Sequence, residues 1–231
     1  MIYFAHRGAN TQRVENTTPA FALAQRQGAT YYELDVHLLK DGQLAVHHDY
    51  SLMRTAGVDV SLKDLAGADL VKYPLINPFS KDTITVPLLK EVLPVILPGI
   101  ELLNIEIKND GDIYPGIEEK LFSLLHVYPE FTDKILISSF DYDSLKRVRA
   151  LAPQARIGLL TRRFDITQAL ALGAQSVHLN YIRFVPEIAD ICHKNGLKVY
   201  CYTVTDKTLA ERLAEQGVDG IFTNDITVFR P

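Results

Sequence analysis

Several charged residues of this chain stand where charge is costly. His6 and Arg7 directly follow the apolar run IYFA. Glu33 and Asp35 lie inside YYELDVH, and Glu106 and Lys108 inside LLNIEIK. Members of each pair are two apart, so in a strand they share a face. Unpaired charge in an apolar strand costs on the order of several kcal/mol, or shifts the group's pKa. Something must compensate these groups. Three inward carboxylates that converge are a natural nest for one hard divalent cation, Mg²⁺ or Ca²⁺, with oxygen ligands. No soft ligand accompanies them, which disfavours zinc. Arg7 and Lys108 add positive charge beyond the metal, and together the set suits an anion such as a phosphoryl group. His47 and His48 end the run QLAVHH and point to opposite faces if it is extended. One of them could meet His6, and a pair of imidazoles suits acid–base work near neutral pH.

Elements must exist to bring these residues together. A rhythm of short apolar strands and amphipathic stretches runs along the chain. Strand candidates lie at 2–5, 31–37, 102–108, 134–139, 156–160, 176–180, 198–203 and 220–223. They are rich in β-branched and aromatic residues and lack long polar alternation, as strands buried on both faces do. Helical patterns at 18–28, 142–153 and 206–217 carry Thr, Pro, Asp and Gly as end signals. Eight strands alternating with helices predict an α/β fold, a (β/α)8 TIM barrel. A doubly wound open sheet is the competitor, but no Gly-rich dinucleotide turn follows the first strand. The whole of 1–231 reads as a single domain. It carries a small insertion at about 50–86, between the second and third barrel strands, expected to lie over the mouth. Active residues of such barrels sit at the carboxyl ends of the strands, where the residues above fall.

Composition sets limits. The formal net charge of −4 and pI near 6.0 argue against a nucleic acid partner. The two cysteines, Cys192 and Cys201, are too few for a disulfide framework. No basic region precedes a long apolar run at the N-terminus, and no apolar stretch reaches a membrane span. A cytoplasmic location without stable membrane insertion is the expectation.

HRGANTQRVENTTPAF, ELDVHLLKDGQLAVHHD, NIEIK and GVDGIFTND, in this order from residue 3 to about 225, resemble the glycerophosphodiester phosphodiesterase family. The resemblance implies the same barrel and selects His48 over His47. It implies His6 and His48 as the catalytic acid–base pair, and Glu33, Asp35 and Glu106 as metal ligands. Arg7 and Lys108 become substrate-binding phosphate contacts, and Glu15 organises Arg7 or the metal's surroundings. The implied reaction is metal-dependent hydrolysis of a small-molecule glycerophosphodiester to glycerol 3-phosphate and an alcohol. A glycerol hydroxyl attacks phosphorus as one histidine takes its proton, the other histidine protonates the leaving alcohol, and water opens the cyclic phosphate. A lysophospholipase D-type reaction on a lipid-bearing diester is the alternative, with YPLINPF (73–79) as the landing surface it would need. Two positions depart from the family pattern. Val14 replaces the usual Pro, and Tyr202 replaces the tryptophan common on the seventh barrel strand. Phe140, at the end of ISSF, is open between substrate contact and packing. His37, His47 and His178 read as packing or surface residues.

Overall fold

The computed structural model describes residues 1–229. The strands are β1 (Ile2–His6), β2 (Tyr31–Leu38), β3 (Leu44–Val46), β4 (Leu102–Ile107), β5 (Ile135–Ser139), β6 (Arg156–Thr161), β7 (Ser176–Asn180), β8 (Lys198–Tyr202) and β9 (Gly220–Thr223). All except β3 are parallel. They run in chain order round a barrel that β9 closes by pairing with β1. The helices are α1 (Thr18–Arg26), α2 (Met53–Ala56), α3 (Leu89–Ile96), α4 (Ile117–Leu125), α5 (Tyr142–Leu151), α6 (Ile166–Leu172), α7 (Pro186–Lys194) and α8 (Lys207–Glu215). This is the (β/α)8 barrel predicted. Among the described residues no helix is long and apolar enough to cross a membrane.

Strand alternation sorts the side chains. Leu103, Ile105 and Ile107 of β4 join Leu34, Val36 and the helices' apolar faces in the larger core, between the barrel and its helices. Phe4, Leu102, Leu136, Tyr200 and Phe222 form a separate cluster, which fills the barrel's interior. Above them on the same faces come His6, Glu33, Asp35, Asn104 and Glu106. Side-chain caps start the later helices: Asp141 accepts from the Asp143 and Ser144 amides, and Asp206 from that of Leu209. After β9 a single turn of 3₁₀-helix, Ile226–Phe229, stacks Phe229 on Tyr3 at 5.0 Å. Among the described residues no longer helix follows β9.

The segment between β2 and β4 contains the antiparallel strand, β3. β3 folds back on β2, with Val46 opposite Val36 and Leu44 opposite Leu38. Its exit is held by the His47 amide, which donates to the Asp35 carbonyl at 3.1 Å. The chain then leaves the barrel and builds a small core of its own. Leu52, Leu62, Leu65, Leu70, Leu75, Val86 and Leu88 pack there with Leu39, Ala45 and Val14.

Candidate active site

Strand register assembles the charged residues. His6 of β1 pairs with Glu33 of β2, Glu33 with Asn104 of β4, and Asp35 with Glu106. His6, Arg7, Glu33, His48, Asn104, Glu106, Lys108, Phe140, Leu160, Tyr202, Thr203 and Phe222 line one cleft at the carboxyl ends of the strands. Its space, including that open to solvent at the mouth, is about 410 Å³. Asp35 lies beneath it, fully buried. All seven residues singled out from the sequence thus meet in one place.

The loop after β1 is shaped for this. Arg7 and Asn16 both adopt left-handed backbone, φ 57° each, and the Asn16 amide donates to the Arg7 carbonyl at 3.0 Å. Between them Gly8, φ 82°, comes so near α1 that a Cβ would stand 2.7 Å from the Ala20 carbonyl carbon. The closed loop turns Arg7 inward, where its Nε lies 3.2 Å from Asp35 Oδ2 and its Nη1 3.1 Å from Glu15 Oε1. Glu15 therefore organises Arg7 and is not part of the carboxylate nest.

In that nest, one oxygen each from Glu33, Asp35 and Glu106 lies within 4.8 Å of the other two. Lys108 Nζ is 3.0 Å from Asp35 Oδ1 and also binds Glu106. Burial opposes the charge of Asp35, but Lys108 and Arg7 outweigh it and hold the carboxyl far below the usual range. Glu33 behaves in the opposite way, because burial and then the neighbouring Asp35 charge push it well up. Glu106 is raised by burial against the pull of Lys108. Three acids against two bases leave negative charge that the protein does not balance. The buried Asp35 Oδ1 has the Lys108 ammonium as its one neighbouring charge partner among the described residues. An all-oxygen donor set with uncompensated charge fits a hard divalent cation.

The imidazoles have different second partners. Asn224 Oδ1 accepts from Asn10 Nδ2 at 3.0 Å, so it is the amide oxygen that faces His6. His6 Nδ1–H therefore donates to it at 2.7 Å, and the bare Nε2 is left towards Glu33, 3.9 Å away. Burial, followed by the Arg7 charge, lowers His6 to about 4. His48 Nδ1–H donates to the Asp49 carboxylate at 2.6 Å. Burial lowers His48 too, and Lys108 and Arg7 add to it against the upward pull of Asp35 and Asp49. A chain of hydrogen bonds fixes the His48 backbone. Tyr114 Oη–H donates to His37 Nδ1 at 3.0 Å, and His37 Nε2–H donates to the His48 carbonyl at 3.2 Å. His47 faces away, bonded to Thr55 and to the Asp49 carbonyl.

The insertion does not itself line the cleft. None of the residues lining the cleft comes from 50–86. Its own core packs on Val14, Leu39 and Ala45, and Arg54 reaches towards the site. That side chain binds Glu15 and Asp49, each at 2.6 Å. Sequence reasoning also passed over Asn16, whose Nδ2 donates to Asp35 Oδ2 at 2.8 Å, and over Asn104, Asp49 and Asn224. Asn16 and Asn224 lie inside quoted motifs, VENT and FTND, and position in a motif is the signal that could have marked them.

Imidazoles, cations and clustered acids at one barrel mouth suit attack at a phosphoryl group, the chemistry that a phosphoric diester hydrolase requires. The comparisons give that class a family. The glycerophosphoryl diester phosphodiesterase family matches residues 6–228. A glycerophosphodiester phosphodiesterase of Caldanaerobacter subterraneus subsp. tengcongensis is 39% identical, over 97% of this chain and 94% of its own. One from Bacillus altitudinis is 34% identical, over 96% and 93%. Among solved structures, an Oleispira antarctica phosphodiesterase in complex with the product sn-glycerol-3-phosphate superposes with TM-score 0.86 and 27% identity, covering 99% of this chain and 95% of that one. The chain belongs to the glycerophosphoryl diester phosphodiesterase family and is a phosphoric diester hydrolase.

Proposed function

We propose that the protein hydrolyses small glycerophosphodiesters to glycerol 3-phosphate and an alcohol, with Glu33, Asp35 and Glu106 holding one Mg²⁺ or Ca²⁺. The observation that carries this is the meeting of that carboxylate nest with Arg7, Lys108, His6 and His48 in a single cleft. When bound, the cation would offset charge on the phosphoryl oxygens and make a nearby hydroxyl more acidic.

The chain's own groups do the rest. Asn224 commits His6 Nδ1 as a donor, so Nε2 can take the proton from the attacking glycerol hydroxyl. Asp49 stabilises a positive charge on His48, which suits His48 to protonate the leaving alcohol. The roles reverse when water opens the cyclic phosphate and glycerol 3-phosphate leaves. Arg7 and Lys108 keep their charge near neutral pH and hold the non-bridging oxygens. The two cysteines are free and buried, which suits a reducing cytoplasm, where we place the protein.

The test is release of glycerol 3-phosphate from a panel of glycerophosphodiesters, measured by a coupled assay with and without chelator. Turnover that needs a divalent cation supports the reading, and full turnover by metal-free protein refutes it. A lysophospholipid belongs in the panel. The insertion exposes Val71, Ile76 and Phe79, an apolar surface of the kind a lipid-bearing diester would require. Faster cleavage of the lysophospholipid than of the water-soluble diesters would favour that second reading.

A further inference from the structure

Opposite the acids, the cleft has an aromatic wall. Phe140, just after β5, and Tyr202, the last residue of β8, meet edge to face with centroids 6.2 Å apart at 86°. Leu160 and Thr203 fill in beside them. Two rings at the mouth of a site that releases a small alcohol would ordinarily receive a cationic headgroup, since quaternary ammonium binds over aromatic faces.

In this protein a side chain of its own already covers one of these rings. The guanidinium carbon of Arg162 stands 4.5 Å from the Phe140 centroid, over the ring. Arg162 comes two residues after Leu160, on the chain leaving β6. Lys108 and Arg183 act on Tyr202 together with Arg162, while Glu106 is an acid that acts on it from the carboxylate nest. The wall therefore offers positive charge and aromatic surface at once. An incoming ammonium group would meet charge of its own sign and a covered ring. A polyol would find guanidinium N–H donors for its hydroxyls and ring surface for its C–H face.

We propose that the preferred substrates carry a neutral or anionic polyol as the alcohol half, of the glycerol or inositol kind. On this proposal Arg162 discriminates against quaternary ammonium alcohols such as choline. The inference rests on the phosphodiesterase reading of the site and adds to it the chemistry of the leaving group.

The experiment compares kcat/KM for glycerophosphoglycerol, glycerophosphoinositol and glycerophosphocholine at one ionic strength, in the wild type, Arg162→Leu and Arg162→Lys. The wild type should favour the polyols over choline by roughly tenfold or more. Arg162→Leu should collapse that ratio by gaining on choline and losing on the polyols, and Arg162→Lys should keep most of it. A ratio within one protein cancels any difference in folded fraction. Wild-type turnover of the choline diester equal to or above that of the polyols overturns the proposal. So does a ratio that Arg162→Leu leaves unmoved. If the wild type releases glycerol 3-phosphate from no diester at all, the phosphodiesterase reading falls and this inference with it, and that outcome is distinct from either reversal.

Discussion

His6 and Asn224 are separated by 218 positions in the chain, yet the ring Nδ1 of one lies 2.7 Å from the side-chain oxygen of the other. The contact exists because β9 pairs with β1 over Ile2–Ala5, so the residues just past both strand ends come together. A neutral amide acceptor fixes which ring nitrogen carries the proton without adding a charge.

Replacing that acceptor should therefore impair proton transfer more than binding. Asn224→Leu is expected to lower kcat by about 10²-fold with a smaller change in KM, and Asn224→Asp to retain more activity. His6→Ala and His48→Ala should each lose about 10²–10⁴-fold, the usual contribution of one acid–base group. Ring ¹⁵N shifts of His6 are the direct check. The Nδ1–H form should dominate in the wild type and lose that dominance in Asn224→Leu. An unchanged shift pattern would remove Asn224 from the mechanism.

Metal binding should be visible without any turnover. A ligand that binds the folded state alone raises stability by RT ln(1 + [L]/Kd), about 2.7 kcal/mol at a hundredfold excess over Kd. Adding Mg²⁺ or Ca²⁺ to chelator-treated protein should raise the thermal midpoint, and Glu33→Gln should abolish the rise. A midpoint equally responsive in Glu33→Gln would place the cation elsewhere.

Arg54 joins the insertion to the site through Glu15 and Asp49. The side chain is half exposed, so Arg54→Ala should cost about 1 kcal/mol or less in denaturant unfolding. The same change should slow turnover, since Arg7 and His48 lose their bracing. Replacing residues 57–84 by a short linker should destabilise the protein, because it exposes Val14, Leu39 and Ala45. Substrate ranking should hardly change, since that segment contributes nothing to the cleft wall. A changed ranking with intact stability would restore the role of a lid.

His178 predicts an acid sensitivity unrelated to catalysis. It is fully buried beside Tyr200 and Phe222, and burial lowers it to about 3. In the unfolded chain it returns to about 6.5. Between these values the unfolded state binds the extra proton. The stability due to its neutral form is thus complete above about pH 6.5 and is lost as pH falls towards 3, at about 1.4 kcal/mol per pH unit. Unfolding measured from pH 6 to 4.5 should show a shallower slope in His178→Leu by about that amount, and an equal slope would contradict it. The ring has room because residue 158 is glycine, where a Cβ would stand 2.5 Å from the imidazole. Gly158→Ala should cost about 1–3 kcal/mol.

Much of this was legible in the sequence for a physical reason. Strands buried on both faces are nearly continuous apolar runs, so Glu33, Asp35, Glu106 and Lys108 stood out against them. The antiparallel β3 decided how His48 reaches the cleft, and three residues are too few to announce a direction. Asn104 and Asn224 were missed as actors because a single amide carries no period and acquires meaning from what lies opposite. The packing of the insertion was not legible, because its apolar residues could equally have covered the mouth or gathered on one another. Their contact with Val14, from a loop far back in the sequence, is a tertiary fact.

Closure of the barrel by its first and last strands has a consequence for synthesis. Until Asn224 has emerged from the ribosome, His6 lacks its partner and β1 keeps an unpaired edge, a template for wrong pairing. A chain halted a few residues short of Asn224 would carry every proposed metal ligand and both histidines, and still lack the final stave. The proposed acid–base chemistry thus waits for the last stave, and can begin only once the barrel has closed.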